Sequence, residues 1–165
     1  MTDRDEPSTI TFSVAGVPVP QGSTRAYVVN GRAVTTSTNR DLGQWRQRIA
    51  TEAQRVAEES GWCSEGRYAY SVTAAFYFPR TKSMGKRLMR HTVRPDLDKL
   101  QRAVGDGITG ILIADDSMID RWSVTKQYLP PVPLHGPRVD ITVVRVPHVI
   151  SGEANGGGRL TRSTA

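Results

Sequence analysis

The residues with the clearest chemical potential are two pairs of aspartates. Asp96 and Asp98 stand two apart in Arg94-Pro95-Asp96-Leu97-Asp98-Lys99-Leu100-Gln101-Arg102, and Asp115-Asp116 follows downstream. Carboxylates are the protein ligands that Mg²⁺ prefers, and two or three of them leave coordination positions open for water and for a phosphate oxygen. A cation close by can stabilise the negative charge that develops as a phosphodiester is cut. Asp96, Asp98 and Asp116 fit the ligand role, and Lys99 and Arg102 fit the cationic one.

Taken singly, each motif has a plainer use. Asp98 with Gln101 three residues later has the spacing of a capping box, and Asp115-Asp116 suits an ordinary turn. The combination carries more, because a dense cationic run leads into the first pair. Between positions 80 and 102 lie Arg80, Lys82, Lys86, Arg87, Arg90, Arg94, Lys99 and Arg102, and the only acids there are Asp96 and Asp98. A phosphate-tracking loop that ends on paired carboxylates is what a metal-dependent nuclease requires, so Arg80, Lys82, Lys86, Arg87, Arg90 and Arg94 are candidate DNA contacts. A solvated charged surface is the bland alternative for most of them.

These residues must be positioned by the elements around them. Pro95 holds Arg94 extended, and the Asp98/Gln101 spacing predicts a helix from Asp98 to about Gly110. Asp96 then lies on the extended arm, and the bend lets both carboxylates converge. Leu100, Val104, Ile108 and Ile111 form the buried face of that helix, with Asp98, Arg102 and Asp106 opposite. Upstream, Ile10, Phe12 and Val14 alternate with polar residues as in a half-buried strand. Residues 16–22 turn on Pro18 and Pro20, and Asn30-Gly31 between two β-prone runs predicts a hairpin. Leu42, Trp45, Ile49, Ala53 and Val56 recur at helical spacing; Thr38 with Asp41 can cap that helix and Gly61 can end it. Tyr68, Tyr70, Val72, Ala74, Phe76 and Phe78 share one face of the clearest strand. Two more strands carry Trp122, Val124 and Tyr128, then Val139, Ile141 and Val143, and their Pro-rich connection allows them to pair as neighbours. The fold class expected is α+β: a mixed or antiparallel sheet of about four strands, an N-terminal hairpin, and two helices packed on one face. The domain spans 9–147, after a flexible N-terminus at 1–8 and before a disordered tail at 148–165.

Composition narrows the partners. Lys plus Arg number 22 against 16 Asp plus Glu, a net charge of +6, and 18 of the 22 are arginine, which forks onto phosphate as lysine cannot. The balance favours a polyanion. Cys63 is the only cysteine, so no intramolecular disulfide can form, and His91, His135 and His148 make no zinc-type spacing. No apolar run approaches the roughly 20 residues of a membrane helix. A cytoplasmic protein without a membrane role is the expectation.

With those residues in view, the sequence resembles the RusA family of Holliday-junction resolvases, common on phages and prophages. Its hallmark is a basic-Pro-Asp-x-Asp-Asn-x-x-Lys segment opening a helix, followed by an Asp-Asp pair before a strand. Here these read Arg94 to Arg102 and Ala114-Asp115-Asp116-Ser117-Met118-Ile119, and Gly16-Val17-Pro18-Val19-Pro20-Gln21-Gly22 is similar to the family's start. The resemblance covers roughly residues 8–147. It implies a homodimeric endodeoxyribonuclease, dependent on Mg²⁺ or Mn²⁺, that resolves four-way DNA by paired symmetric nicks in recombination and repair. By position, it implies metal binding by Asp96, Asp98 and Asp116, with Asp115 in support. Two positions depart: Lys99 stands for the usual Asn, and Arg102 for the usual Lys. Arginine keeps the charge but is a poor proton donor. A catalytically inactive, structure-selective nucleic-acid-binding protein of the same fold is the alternative. A glycosyltransferase using Asp-x-Asp is disfavoured, because no Gly-rich phosphate loop sits at a strand-to-helix junction.

Overall fold

A computed structural model describes residues 8–22, 24–29, 32–37 and 41–147. The expected flexible start (Ser8 apart) and tail, the Asn30-Gly31 turn and the Thr38 cap all lie outside them.

The chain forms β1 (Thr9–Ala15), β2 (Thr24–Val29), β3 (Arg32–Ser37), α1 (Leu42–Ser60), β4 (Tyr68–Phe78), α2 (Leu97–Ile108), a short 3₁₀ turn (Asp116–Met118), β5 (Ile119–Tyr128) and β6 (Arg138–Pro147). β2 and β3 pair antiparallel as a separate hairpin. The other strands make one mixed sheet in the order β1-β6-β4-β5. This is the expected α+β class. β6 is antiparallel to both β1 and β4, whereas β4 and β5 are parallel.

The last two strands are therefore not neighbours, contrary to the reading of their Pro-rich connection. β4 lies between them. It is the longest strand, at 11 residues, and Tyr70, Val72, Ala74 and Phe76 are fully buried along it. The largest apolar face gains most from the centre of the sheet. Val139, Ile141 and Val143 of β6 and Ile10, Phe12 and Val14 of β1 continue the same buried surface. α1 closes it with Leu42, Trp45, Ile49, Ala53 and Val56, and ends at Gly61 in the left-handed conformation (φ 70°). α2 adds Leu100, Ala103, Val104 and Ile108. Ile111 is only half-buried, and the next two residues, Leu112 and Ile113, are fully buried instead.

α2 begins one residue before the expected Asp98. Asp96 occupies the cap position with extended backbone (φ −70°, ψ 141°), and its carbonyl accepts the Leu100 N–H at 3.2 Å. No side-chain cap bond forms, so the Asp98/Gln101 spacing is not a capping box here. The helix ends at Ile108 with Thr109 as its cap.

The two helices approach through glycine. A Cβ on Gly107 would lie 2.6 Å from Ile49 Cγ2 and 2.8 Å from Ile49 Cβ, whereas one on Gly105 would meet only Trp122 Cζ2 at 3.7 Å. Gly107→Ala is therefore expected to lower stability by about 1–3 kcal/mol through overpacking. Gly105→Ala is expected to raise it by up to about 1 kcal/mol through helix propensity. Urea unfolding of the two variants checks the opposite signs.

Candidate active site and nucleic-acid interface

The connection from β4 to α2, residues 79–96, is longer than the roughly 12–15 residues at which an irregular loop usually has a function. It is nonetheless held in place. Arg80 donates to the carbonyls of Gly85 (2.6 Å), Leu88 (2.7 Å) and Leu129 (3.2 Å), tying the loop to itself and to the end of β5. Further on, the loop runs beside β5. Arg90 bridges Gln127, the Tyr128 N–H donates to the Met89 carbonyl at 2.8 Å, and the His91 N–H donates to the Lys126 carbonyl at 3.4 Å. Lys126 Nζ donates to the carbonyls of Val93 and Pro95, both at 2.6 Å. That ammonium fixes the segment that delivers Asp96, across the cis Arg94-Pro95 bond. Lys82, Lys86, Arg87, Arg90 and Arg94 are exposed, whereas Arg80 is half-buried.

Asp96 and Asp98 are both exposed, at the cap and in the first turn of α2. Lys99 Nζ lies 3.2 Å from Asp96 Oδ2. Arg102 is exposed one turn further on. Asp106, next on that stripe, makes an ion pair with Arg46 of α1.

Asp115 and Asp116 are also exposed, but they sit elsewhere. Asp115 caps the 3₁₀ turn, its Oδ1 accepting the Ser117 N–H at 2.9 Å. Hydrogen bonds from Ser117, side chain first and then backbone, hold its carboxyl below the usual range. Asp116 is the first residue of the turn. The register locates the two pairs. Residues 93–95 meet Lys126, which lies opposite Phe76 near the C-terminal end of β4. Gly105 approaches Trp122, opposite Val72, and the turn ends at Ile119, opposite Tyr70. α2 thus runs back along β4, and its 12 residues span about 18 Å. Among the described residues, no group of three or more His, Cys, Asp or Glu side chains is disposed to hold a metal ion. One chain offers two acids at one end of α2 and two at the other.

A cleft of about 740 Å³ opens beside the first pair, between the 17–22 segment and the start of α2. Val17, Pro18, Pro20 and Phe78 give it apolar walls, and Arg94, Asp96 and Lys99 line it as well. The Gln21 N–H donates to the Lys99 carbonyl at 2.9 Å, which docks the Pro-rich segment onto the helix start. Gln21 and His91 also line this cleft. Sequence reasoning missed both, along with Lys126. Residues 16–22 read as a turn and as similar to the family's start, with no role for Gln21 itself, and a lone histidine or strand lysine has no local signature.

Residues 16–144 match the family model described as Endodeoxyribonuclease RusA. The uncharacterized protein YqaN of Bacillus subtilis (strain 168) is 26% identical over 145 residues, covering 83% of this chain and 96% of that protein. The fold is of the α+β class, with a four-stranded mixed sheet. The chain belongs to the RusA endodeoxyribonuclease family. No helix among the described residues is long and apolar enough to cross a membrane.

His91 supplies a test of how this region is built. It is buried against the rings of Phe78 and Tyr128, at centroid distances of 4.3 and 4.5 Å. Burial, and after it the Lys126 charge, pushes its imidazole below the ordinary value. The folded site resists a proton that the unfolded chain accepts at about pH 6.5. Its contribution is therefore complete above that pH and declines as the pH falls below it. His91→Phe, which keeps the ring contacts, is expected to flatten the fall in urea midpoint between about pH 6.5 and 5; an unchanged slope would assign the acid loss to other groups.

Proposed function

We propose that this chain is a metal-dependent endodeoxyribonuclease that resolves four-way DNA junctions by paired nicks, acting as a two-fold homodimer. The domain is residues 9–147, in the recombination and repair of phage or prophage DNA, and the protein works in the cytoplasm. The observation that carries the reading is the joining of a fixed basic loop to exposed carboxylates at the start of α2.

The donor set suits Mg²⁺ or Mn²⁺, which take hard oxygen ligands. Asp96 and Asp98 would hold the ion together with Asp116, with Asp115 beside it, and the bound ion would activate water and relieve charge on the phosphate. One chain keeps these acids apart by the length of α2. A two-fold axis relates the ends of two copies, so the acids of one end can meet the opposite acids of the partner subunit. Symmetry then gives two equivalent sites for two equivalent junction strands. Lys82, Lys86, Arg87, Arg90 and Arg94 track the phosphates. Arg80 shapes the loop that presents them. Arg102 and Lys99 stabilise negative charge near the cut.

The alternative of a junction-binding protein without catalysis draws on the Lys99–Asp96 ion pair, which competes with a metal for Asp96. A synthetic junction and a matched duplex, incubated with Mg²⁺ or EDTA, separate the readings. Junction-only nicking with metal supports the resolvase; binding without cutting under any metal supports the alternative.

The shared-site arrangement makes a sharper prediction. Asp98→Asn and Asp116→Asn should each reduce nicking by more than about a hundredfold. When the two variants are mixed and re-equilibrated, half the dimers are mixed and each regains one intact site. Nicking should return to about a quarter of wild type, as single rather than paired nicks. No recovery in the mixture would place all the acids of a site within one chain.

A further inference from the structure

The cleft beside Asp96 has properties that phosphate binding alone does not use. Its volume, about 740 Å³, lies within the roughly 300–1,000 Å³ of sites that enclose an organic ligand. Val17, Pro18, Pro20 and Phe78 present apolar surface, which suits a flat, weakly polar body rather than a phosphodiester. Two polar atoms of its lining, Gln21 Oε1 and His91 Nδ1, are buried without a hydrogen-bond partner among the described residues. The carbonyls of His91 and Val93 lie near the imidazole, yet none meets Nδ1 with hydrogen-bonding geometry. Buried polar atoms are ordinarily paired, so an occupant that supplies partners is favoured. The charged lining residues, Arg94, Asp96 and Lys99, are those of the proposed strand-cutting site. The occupant thus needs an apolar face, a polar edge, and a phosphate within reach of cations.

We infer that the cleft receives one unstacked nucleobase of the strand being cut, next to the scissile phosphate, with Gln21 and His91 reading its edge. This rests on the proposed nuclease function and adds a source of base preference to it. Extruding a base costs least where stacking is already weakened, as at a branch point. Packing against Phe78 and Tyr128 fixes the His91 ring, and the backbone bond from Gln21 to Lys99 fixes the reader to the helix that carries Asp96 and Asp98. Base recognition and strand cutting are thereby held in one frame.

The test uses the full chain and a four-way junction carrying 2-aminopurine, in turn, at each nucleotide flanking the cut. A dye on a distant arm reports binding by anisotropy in the same sample, in EDTA. Wild type is expected to raise 2-aminopurine fluorescence by about severalfold at one position, as the base leaves the stack. Val17→Trp, which fills the cleft from a half-exposed position, and Gln21→Ala, which keeps the backbone bond to Lys99, should each abolish that rise. With Mg²⁺, wild type should prefer one base at that position by about tenfold, and both variants should flatten the preference to below about threefold. Junction binding with no rise at any position, or a preference unchanged in both variants, overturns the base pocket while leaving the nuclease reading intact. No anisotropy change with wild type overturns the nuclease reading and the pocket together.

Discussion

β4 and β5 run parallel, and a parallel pair cannot be closed by a tight turn. The chain that leaves β4 at Phe78 must return to its other end before β5 can start at Ile119. α2 is that return path. This single constraint separates the acids, since Asp96 and Asp98 enter the helix and Asp115 and Asp116 follow its exit. It also explains the glycines. α2 packs beside α1, and Gly107 lets its backbone come within contact of Ile49. A longer or displaced crossover would move both acidic pairs at once.

The second requirement is to hold residues 79–96 without a strand ladder. Two cations meet it. Arg80 and Lys126 together satisfy five backbone carbonyls. Hydrogen bonds from charged donors are each worth about 1.5–3 kcal/mol, more than neutral ones. The basic character of this region therefore has two uses. Arg80 and Lys126 turn their charge inward onto the chain, and the exposed cations between them face outward, where the proposed function would use them on a polyanion. A count of charge along the sequence cannot separate these uses, because burial alone decides which side chain points where.

Much of the fold was legible in local pattern. The alternation in β1, β4 and β6, the apolar face of α1 and the left-handed Gly61 follow from side-chain period and backbone sterics, which act over a few residues. Strand order was not legible. It depends on which apolar face gains most from the centre, a comparison between distant segments. The start of α2 was misread by one residue because Asp96 and Asp98 are both good cap residues, and only the bond from Leu100 to Asp96 distinguishes them. At the site, the acids stood out by type and spacing. Gln21, His91 and Lys126 did not, because their importance comes from a loop docking on a helix far along the chain.

The departures at Lys99 and Arg102 have a physical reading in this frame. The Lys99–Asp96 pair is substantially exposed, with side-chain exposures of 36% and 53%. Such pairs are worth only about 0–1 kcal/mol. In the proposed site a divalent ion, with twice the charge and direct coordination, would displace the ammonium from Asp96 at little cost. The Lys99 carbonyl anchors Gln21 in either case. Lysine at this position neutralises Asp96 through that pair and would supply positive charge to a metal-loaded site, which an asparagine could not do. Arg102, one turn further and permanently charged, can stabilise an anion but not protonate a leaving group. In the proposed reaction, protonation of the departing oxygen would fall to water or to Lys99, not to the residue in the usual lysine position.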